Sequence, residues 1–214
     1  MSLRIALTKG RLEDKTLTML EKSGYGTENV RSKGRALVLP DTAKDIEYVL
    51  VKSNDCITYV EHGACDMGVV GKDTLMEGSS DYFEMLDLKT GECDFILAAL
   101  PEADLFSQNS RVRIGTKYPN VAREYFARRN MDVEIIKIDG SVELSPLIGL
   151  VDGIVDITET GSTLKANGLV ILDYVAHISA RVIVNKASLK MKKQEVMQVL
   201  GDLRKAVMEN AEGN

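Results

Sequence analysis

The chain has 214 residues, 44% of them hydrophobic and 28% charged, with no tryptophan and only four prolines. Its net charge of −5 argues against a broad nucleic-acid footprint, and no apolar run approaches the roughly 18 residues that a membrane span needs. Cys56, Cys65 and Cys93 are an odd set without CxxC spacing, which argues against a disulfide framework or a zinc site and for reduced thiols in the cytoplasm.

The apolar start within MSLRIALTKGRL is too short for a signal h-region. LRIALT reads as a strand, and RLEDKTLTMLEKSGY as a helix with Leu12, Thr16, Met19 and Leu20 on one face. ALVLP and IEYVLVK read as a pair of strands, NDCITYVEHG as a short helix stopped by Gly63, and DMGVVG as a buried strand. DFILAALP leaves this first unit. RVRIGTKY begins a second, followed by the helix PNVAREYFARR with Pro119 at its first position, where a missing N–H costs nothing. VEIIKI and GIVDI read as strands around the helical candidate SVELSPLIGLV, and LVILDYVAHISARVIV as one or two strands. The tail carries Val196, Leu200, Leu203 and Val207 at i, i+4, i+7 and i+11, a helix returning to the first unit.

Strands alternating with helices predict an α/β architecture with mostly parallel sheets. The two halves also rhyme. IALTKGRL and RIGTKYPN are each a strand, a Thr-Lys pair and a helix start, while DMGVVGKDTL and GIVDITETGSTL are each a strand, a polar loop and a helix start. Either the chain is two similar lobes facing across a cleft, or the likeness is the shared chemistry of βα turns.

The densest polar stretch is DITETGSTL, residues 156–164. A strand ending in Thr160, Gly161, Ser162 and Thr163 at a helix start offers free N–H groups, hydroxyls and a partial positive charge, the makings of a phosphate cradle. The same residues also serve as ordinary helix caps. Asp156 and Glu159 would repel a phosphate but accept hydrogen bonds from a sugar diol, so a sugar phosphate suits the loop. Lys9 and Arg11 follow the first strand, where open α/β sheets bind ligands. Lys52 could reach a pyrophosphate, and Gly68 and Gly71 either admit a ligand to the backbone or form a tight turn. His62 and His177 stand in no motif, and G-x-S-x-G, HExxH and the Walker A pattern are absent. Any chemistry would rest on positioning and electrostatics.

TKGRL, DCITYVEHGACDMGVVGKD, VRIGTKYPNVAREYF and GSVELSPLIGLVDGIVDITETGSTLKANGL together resemble the short form of the ATP phosphoribosyltransferase family, from about residue 3 to 208. The last stretch is similar to the family signature: a Glu, a Gly six residues on, an Asp, then TG-x-TL. The resemblance implies a two-lobed, periplasmic-binding-protein-like (type II) α/β fold. Its first lobe, on the ATP side, would be residues 1–93 plus 184–214, and its second, on the phosphoribosyl pyrophosphate side, residues 94–183. It implies Mg²⁺-assisted joining of adenine N1 of ATP to C1 of phosphoribosyl pyrophosphate, with the metal held through the substrate pyrophosphate and by no protein site of its own.

By position, Thr160, Gly161, Ser162 and Thr163, with Thr158 beside them, would hold the 5-phosphate, and Asp156 the ribose hydroxyls. Glu159 stands where many members carry a small residue. Lys9, Gly10, Arg11, Lys52 and Gly71 match elements around ATP and pyrophosphate, Lys9, Lys52 and Asp156 being the catalytic candidates, and Glu143 matches the first acid of the signature. The chain stops after one helix, as short forms do, which implies a homodimer within a hetero-oligomer containing a regulatory subunit that resembles histidyl-tRNA synthetase. The alternatives are a non-enzymatic two-lobed sensor of small anions or nucleotides, and a phosphoribosyltransferase for another base.

Overall fold

In the computed structural model the run LRIALT forms strand β1 (Leu3–Thr8), in which every side chain but that of Arg4 is buried. A strand covered on both faces reads as a continuous apolar run, as an inner strand of a parallel sheet does. The structure describes residues 2–78, 81–107 and 111–212, with Arg11, Ala211 and Glu212 described by backbone alone.

Helices α1 (Arg11–Lys22) and α2 (Glu28–Arg31) follow, then β2 (Val38–Pro40), β3 (Ile46–Val51), α3 (Ser53–Glu61), β4 (Met67–Gly71), α4 (Lys72–Glu77) and β5 (Phe83–Asp87). The chain continues through β6 (Cys93–Ala99), β7 (Val112–Thr116), α5 (Pro119–Ala127), β8 (Val133–Lys137), α6 (Leu144–Leu147), β9 (Gly153–Thr158), α7 (Ser162–Ala166) and β10 (Val170–Ile178). It closes with β11 (Ala180–Val184), α8 (Lys186–Met191) and α9 (Lys193–Glu212). These divide into one unit of residues 1–91 with 179–214 and another of residues 92–178.

The sheet of the first unit has the order β2-β3-β1-β4-β11-β5. Strands β3, β1 and β4 are parallel, and β2, β11 and β5 are added antiparallel. Leu3, Ile5 and Leu7 face α1 and α9, meeting Leu17, Leu20, Val196, Leu200 and Leu203, while Ala6 faces α3 through Cys56, Ile57 and Val60. Side chains alternate across a strand, so one apolar hexapeptide serves both layers.

In the second unit the order is β10-β6-β9-β7-β8, with β9, β7 and β8 parallel and β6 and β10 antiparallel. Ile96, Ala98 and Ile154 pack with Val142 and Leu164 on one face. Phe95 meets Tyr118 edge-to-face at 4.9 Å.

Three expectations need correction. The sheets are mixed rather than mostly parallel, because the strands that enter and leave each parallel triplet run against it. SVELSPLIGLV yields only the four-residue α6, which ends before Gly149 turns left-handed at φ +71°. The long run LVILDYVAHISARVIV is two strands in different sheets, and residues 180–183, assigned above to the second lobe, pair in the first unit as part of β11. The rhyme between halves has a topological counterpart. In each parallel triplet the first strand is central, flanked by the second and third: β3-β1-β4 and β8-β7-β9.

Candidate active site

Ligands of open α/β sheets collect beyond the carboxyl ends of the parallel strands. In the second unit that edge carries the turn after β7, the N-terminus of α6 and the loop between β9 and α7. A cavity of about 200 Å³ opens there, lined by Glu143 from the start of α6, by Asp156, Ile157 and Thr158 of β9, and by Glu159, Thr160, Ser162, Thr163 and Leu164. Glu143 is ten residues before β9 in sequence yet reaches the same cavity, as buried Val142 and Ser145 anchor its turn.

The loop is built by its own hydroxyls. Thr158 Oγ1 accepts the Gly161 N–H at 2.9 Å, and Thr160 Oγ1 donates to Ser162 Oγ at 3.0 Å. Gly161 is the N-cap of α7, in the left-handed region at φ 71° and ψ 2°, and no side chain caps the helix from that position. The first intrahelical bond runs from Lys165 N–H to Gly161 O at 3.0 Å. The N–H groups of Ser162, Thr163 and Leu164 precede it and have no acceptor one helical turn back. The Ser162 N–H also reaches Thr160 Oγ1 at 3.4 Å, so the polar residues shape the turn at the edge of the cavity, a geometry that fits a cap and a phosphate cradle alike.

Asp156 is half-buried, and its Oδ1 accepts the Ile157 N–H at 2.8 Å. Burial pushes its carboxyl up to about 6, helped by the negative charge of Glu143, while the Ile157 N–H and the Lys117 ammonium pull the other way. Near neutral pH it is an ionised acceptor held in a poorly solvated place. Such an anion suits a sugar diol or a carbon that becomes cationic. Lys117 was not singled out from sequence, although it is the lysine of the second Thr-Lys pair, and that rhyme was the signal.

In the first unit Lys9, Gly10 and Arg11 follow β1, Lys52 follows β3, and Gly71 ends β4, all at the carboxyl edge of the parallel triplet. The Lys9 N–H donates to Val51 O at 2.9 Å, so the ends of β1 and β3 are tied together. Lys9 and Lys52 line one cavity of about 540 Å³, with Val38, Val49 and Tyr59 as apolar wall. Gly71, on the other side of β1, does not line it; it is the N-cap of α4. Gly68 offers no ligand approach: a Cβ there would stand 2.6 Å from Cys56 Sγ and 2.9 Å from a Val60 methyl, so this glycine lets α3 lie close on β4.

The HisG family model, ATP phosphoribosyltransferase, matches residues 52–205. The chain belongs to the ATP phosphoribosyltransferase family. It is 52% identical over 206 residues to the ATP phosphoribosyltransferase of Clostridium acetobutylicum, covering 96% of both chains. Against that of Clostridium novyi it is 50% identical, covering 95% of this chain and 97% of the relative. Among solved structures it superposes on a chain of the ATP phosphoribosyl transferase (HisG:HisZ) complex from Thermotoga maritima with a TM-score of 0.82 and 36% identity, covering 97% of this chain and 99% of that one. The periplasmic aliphatic sulphonate binding protein SsuA of Escherichia coli shares the two-lobed fold alone, at 10% identity, a TM-score of 0.65, and coverage of 99% of this chain and 74% of that one. The loop from Asp156 to Leu164 lies inside the span matched by the family model, as do Lys52, Gly71 and Glu143.

Proposed function

We propose that this chain transfers the phosphoribosyl group of phosphoribosyl pyrophosphate to N1 of the adenine of ATP, giving phosphoribosyl-ATP and pyrophosphate, the first step of histidine biosynthesis. Membership of the family at 50–52% identity over almost the whole chain carries this reading and favours it over a non-enzymatic sensor. The absence of a nucleophile motif agrees with the chemistry. The N1 lone pair of adenine is free at neutral pH, so no base is needed to start. The barrier is departure of pyrophosphate from a carbon that becomes oxocarbenium-like, and fixed charges and dipoles lower that barrier.

The cavity of the second unit takes the phosphoribosyl part. The N–H groups and hydroxyls of Thr160, Gly161, Ser162 and Thr163, with Thr158 bracing the turn, receive the 5-phosphate. Asp156 accepts from the ribose hydroxyls, and its charge, close to C1, steadies the developing cation. Glu143 and Glu159 extend the acceptor wall. In the first unit Lys9 and Lys52, with Gly10 and Arg11 and with Gly71 on the other side of β1, receive the triphosphate of ATP and the leaving pyrophosphate.

Among the described residues no three His, Cys, Asp or Glu side chains converge tightly enough to hold an ion. Mg²⁺ would arrive with the substrate, carried on its pyrophosphate. Bound there, it would neutralise charge on the leaving group. No helix among the described residues is long and apolar enough to cross a membrane, and a cytoplasmic location goes with the biosynthetic role. By likeness to the HisG:HisZ complex of Thermotoga maritima, the chain works with a HisZ-like regulatory subunit; the family resemblance adds that the chain pairs as a homodimer in that assembly and that the subunit resembles histidyl-tRNA synthetase.

The test is pyrophosphate release by the purified chain given ATP, phosphoribosyl pyrophosphate and Mg²⁺, with and without the regulatory subunit. Release that needs both substrates is expected. If none occurs even with the subunit present, the transferase reading fails.

A further inference from the structure

We propose that Lys117 is a binding and positioning residue of the second unit, supplying the cation that holds the diphosphate part of the sugar substrate beside Asp156. The inference rests on the phosphoribosyl pyrophosphate reading of that cavity.

Charge makes the first argument. The cavity at the end of β9 is lined by three carboxylates, Glu143, Asp156 and Glu159, and by no cation among the described residues. Backbone N–H groups can neutralise one phosphate, and the lysines assigned to the leaving pyrophosphate, Lys9 and Lys52, belong to the first unit, so the second unit needs a positive side chain of its own to hold the diphosphate before it leaves. Lys117 is close enough to Asp156 to attract its charge.

Register makes the second. Thr116 of β7 pairs with Val155 of β9, so the residue after Thr116 stands beside the row of Asp156, at the edge where the cavity opens. The backbone there is fixed on both sides. Thr116 is fully buried with its Oγ1 accepting the Tyr118 N–H at 2.9 Å, and buried Tyr118 packs on Phe95. Between these anchors Lys117 is exposed and, among the described residues, is engaged in no ion pair. A cation held in place at the base and free at the tip is available to a ligand.

The third argument is duplication. Lys9 follows Thr8 on the central strand of its parallel triplet as Lys117 follows Thr116 on the central strand of the other. Each triplet therefore places one lysine at the same carboxyl-edge position.

The groups facing Asp156 are Glu143 from the start of α6, Glu159 from the following loop and Lys117 from the end of β7. Removing the only cation among them should make the Asp156 carboxylate harder to ionise. The experiment compares the unmodified full chain with Lys117→Gln and Lys117→Arg, by calorimetric titration with phosphoribosyl pyrophosphate in Mg²⁺ and by steady-state kinetics across pH. Lys117→Gln is expected to weaken phosphoribosyl pyrophosphate binding by about tenfold or more, as loss of a charge-assisted contact does, with a far smaller change in KM for ATP. It should also move the acid limb of kcat/KM to higher pH, and Lys117→Arg should restore most of both effects.

Unchanged affinity and an unmoved acid limb in Lys117→Gln overturn the proposal. Equal losses in both variants together with a lowered melting temperature overturn it too, since they mark a structural role. Failure of the unmodified chain to bind phosphoribosyl pyrophosphate overturns the reading of the cavity itself, and this proposal with it.

Discussion

Asp156 shows how function and stability pull apart at a single residue. Its carboxyl titrates near 6 because burial disfavours the charged form and Glu143 adds repulsion. The ordinary value is 3.8, so the folded state binds this proton more tightly than the unfolded chain does. The stability from that proton is fully present below the unfolded value and is lost as pH rises through about 6. Activity in the proposed acceptor role runs the other way, since that role needs the anion. Asp156→Asn should therefore raise the stability of the second unit at pH 7.5, by on the order of 2 kcal/mol, while lowering kcat by two orders of magnitude or more. Thermal melts and initial rates check both signs. A variant that is both less stable and fully active would remove Asp156 from the site. In the unmodified protein kcat/KM is expected to fall on the acid side of pH 6 for the same reason.

At the scale of the element, the segment from β9 through α7 is where composition was most informative. The acid, the hydroxyls and the glycine were all legible as one polar turn at the end of a strand, for which a sugar phosphate is the proposed ligand. Which hydroxyls brace the turn and which line the cavity was not, because that depends on the left-handed turn at Gly161 and on Thr158 accepting its N–H. A Cβ at Gly161 would meet nothing within 4 Å, so backbone conformation alone demands glycine there. Valine in that region costs roughly 1–2 kcal/mol, whereas asparagine visits it readily. Gly161→Val is thus expected to fold with modestly reduced stability but to bind phosphoribosyl pyrophosphate much more weakly, and Gly161→Asn to keep more of the affinity. Calorimetric titration of both variants separates a backbone requirement from a requirement for space at the ligand.

Gly68, open in sequence between ligand access and a tight turn, has a packing role for a related reason. DMGVVG places Gly68 near a strand end, which suggested ligand access, but its neighbours are Cys56 and Val60 of α3, brought there by the fold. Filling that contact with Gly68→Ala overpacks the α3–β4 seam and should cost about 1–3 kcal/mol in denaturant unfolding, without altering phosphoribosyl pyrophosphate affinity.

For the whole molecule, the parallel triplets were readable from alternating strands and helices, and the strands that join the two units were not. LVILDYVAHISARVIV is apolar along its whole length apart from the scattered Asp173, His177, Ser179 and Arg181, so nothing in its pattern marks Ser179 as the point where one sheet is left and the other entered. That crossing has a consequence for assembly. Unit two is contiguous, residues 92–178, with all five strands of its sheet inside it. Unit one is interrupted. β5 hydrogen-bonds only to β11, β11 is also the partner of β4, and Val196, Val199, Leu200, Leu203 and Ala206 of α9 fill its core. Asp66 joins the same distant stretches: its carboxylate accepts the Arg4 N–H at 2.8 Å, the Ser188 hydroxyl at 2.7 Å and the Lys192 ammonium at 2.8 Å. Burial works to raise the Asp66 carboxyl, but these donors outweigh it and leave it lowered, so their stability is present at neutral pH and lost on acidification. A fragment of residues 1–91 therefore lacks a sheet neighbour, helices α8 and α9, and the Ser188 and Lys192 donors of Asp66, and should not unfold cooperatively. A fragment of residues 92–178 keeps its own core and should. Denaturant melts followed by circular dichroism decide it, and a cooperative transition in the 1–91 fragment would mean that β11 and α9 contribute far less to the first unit than their burial implies.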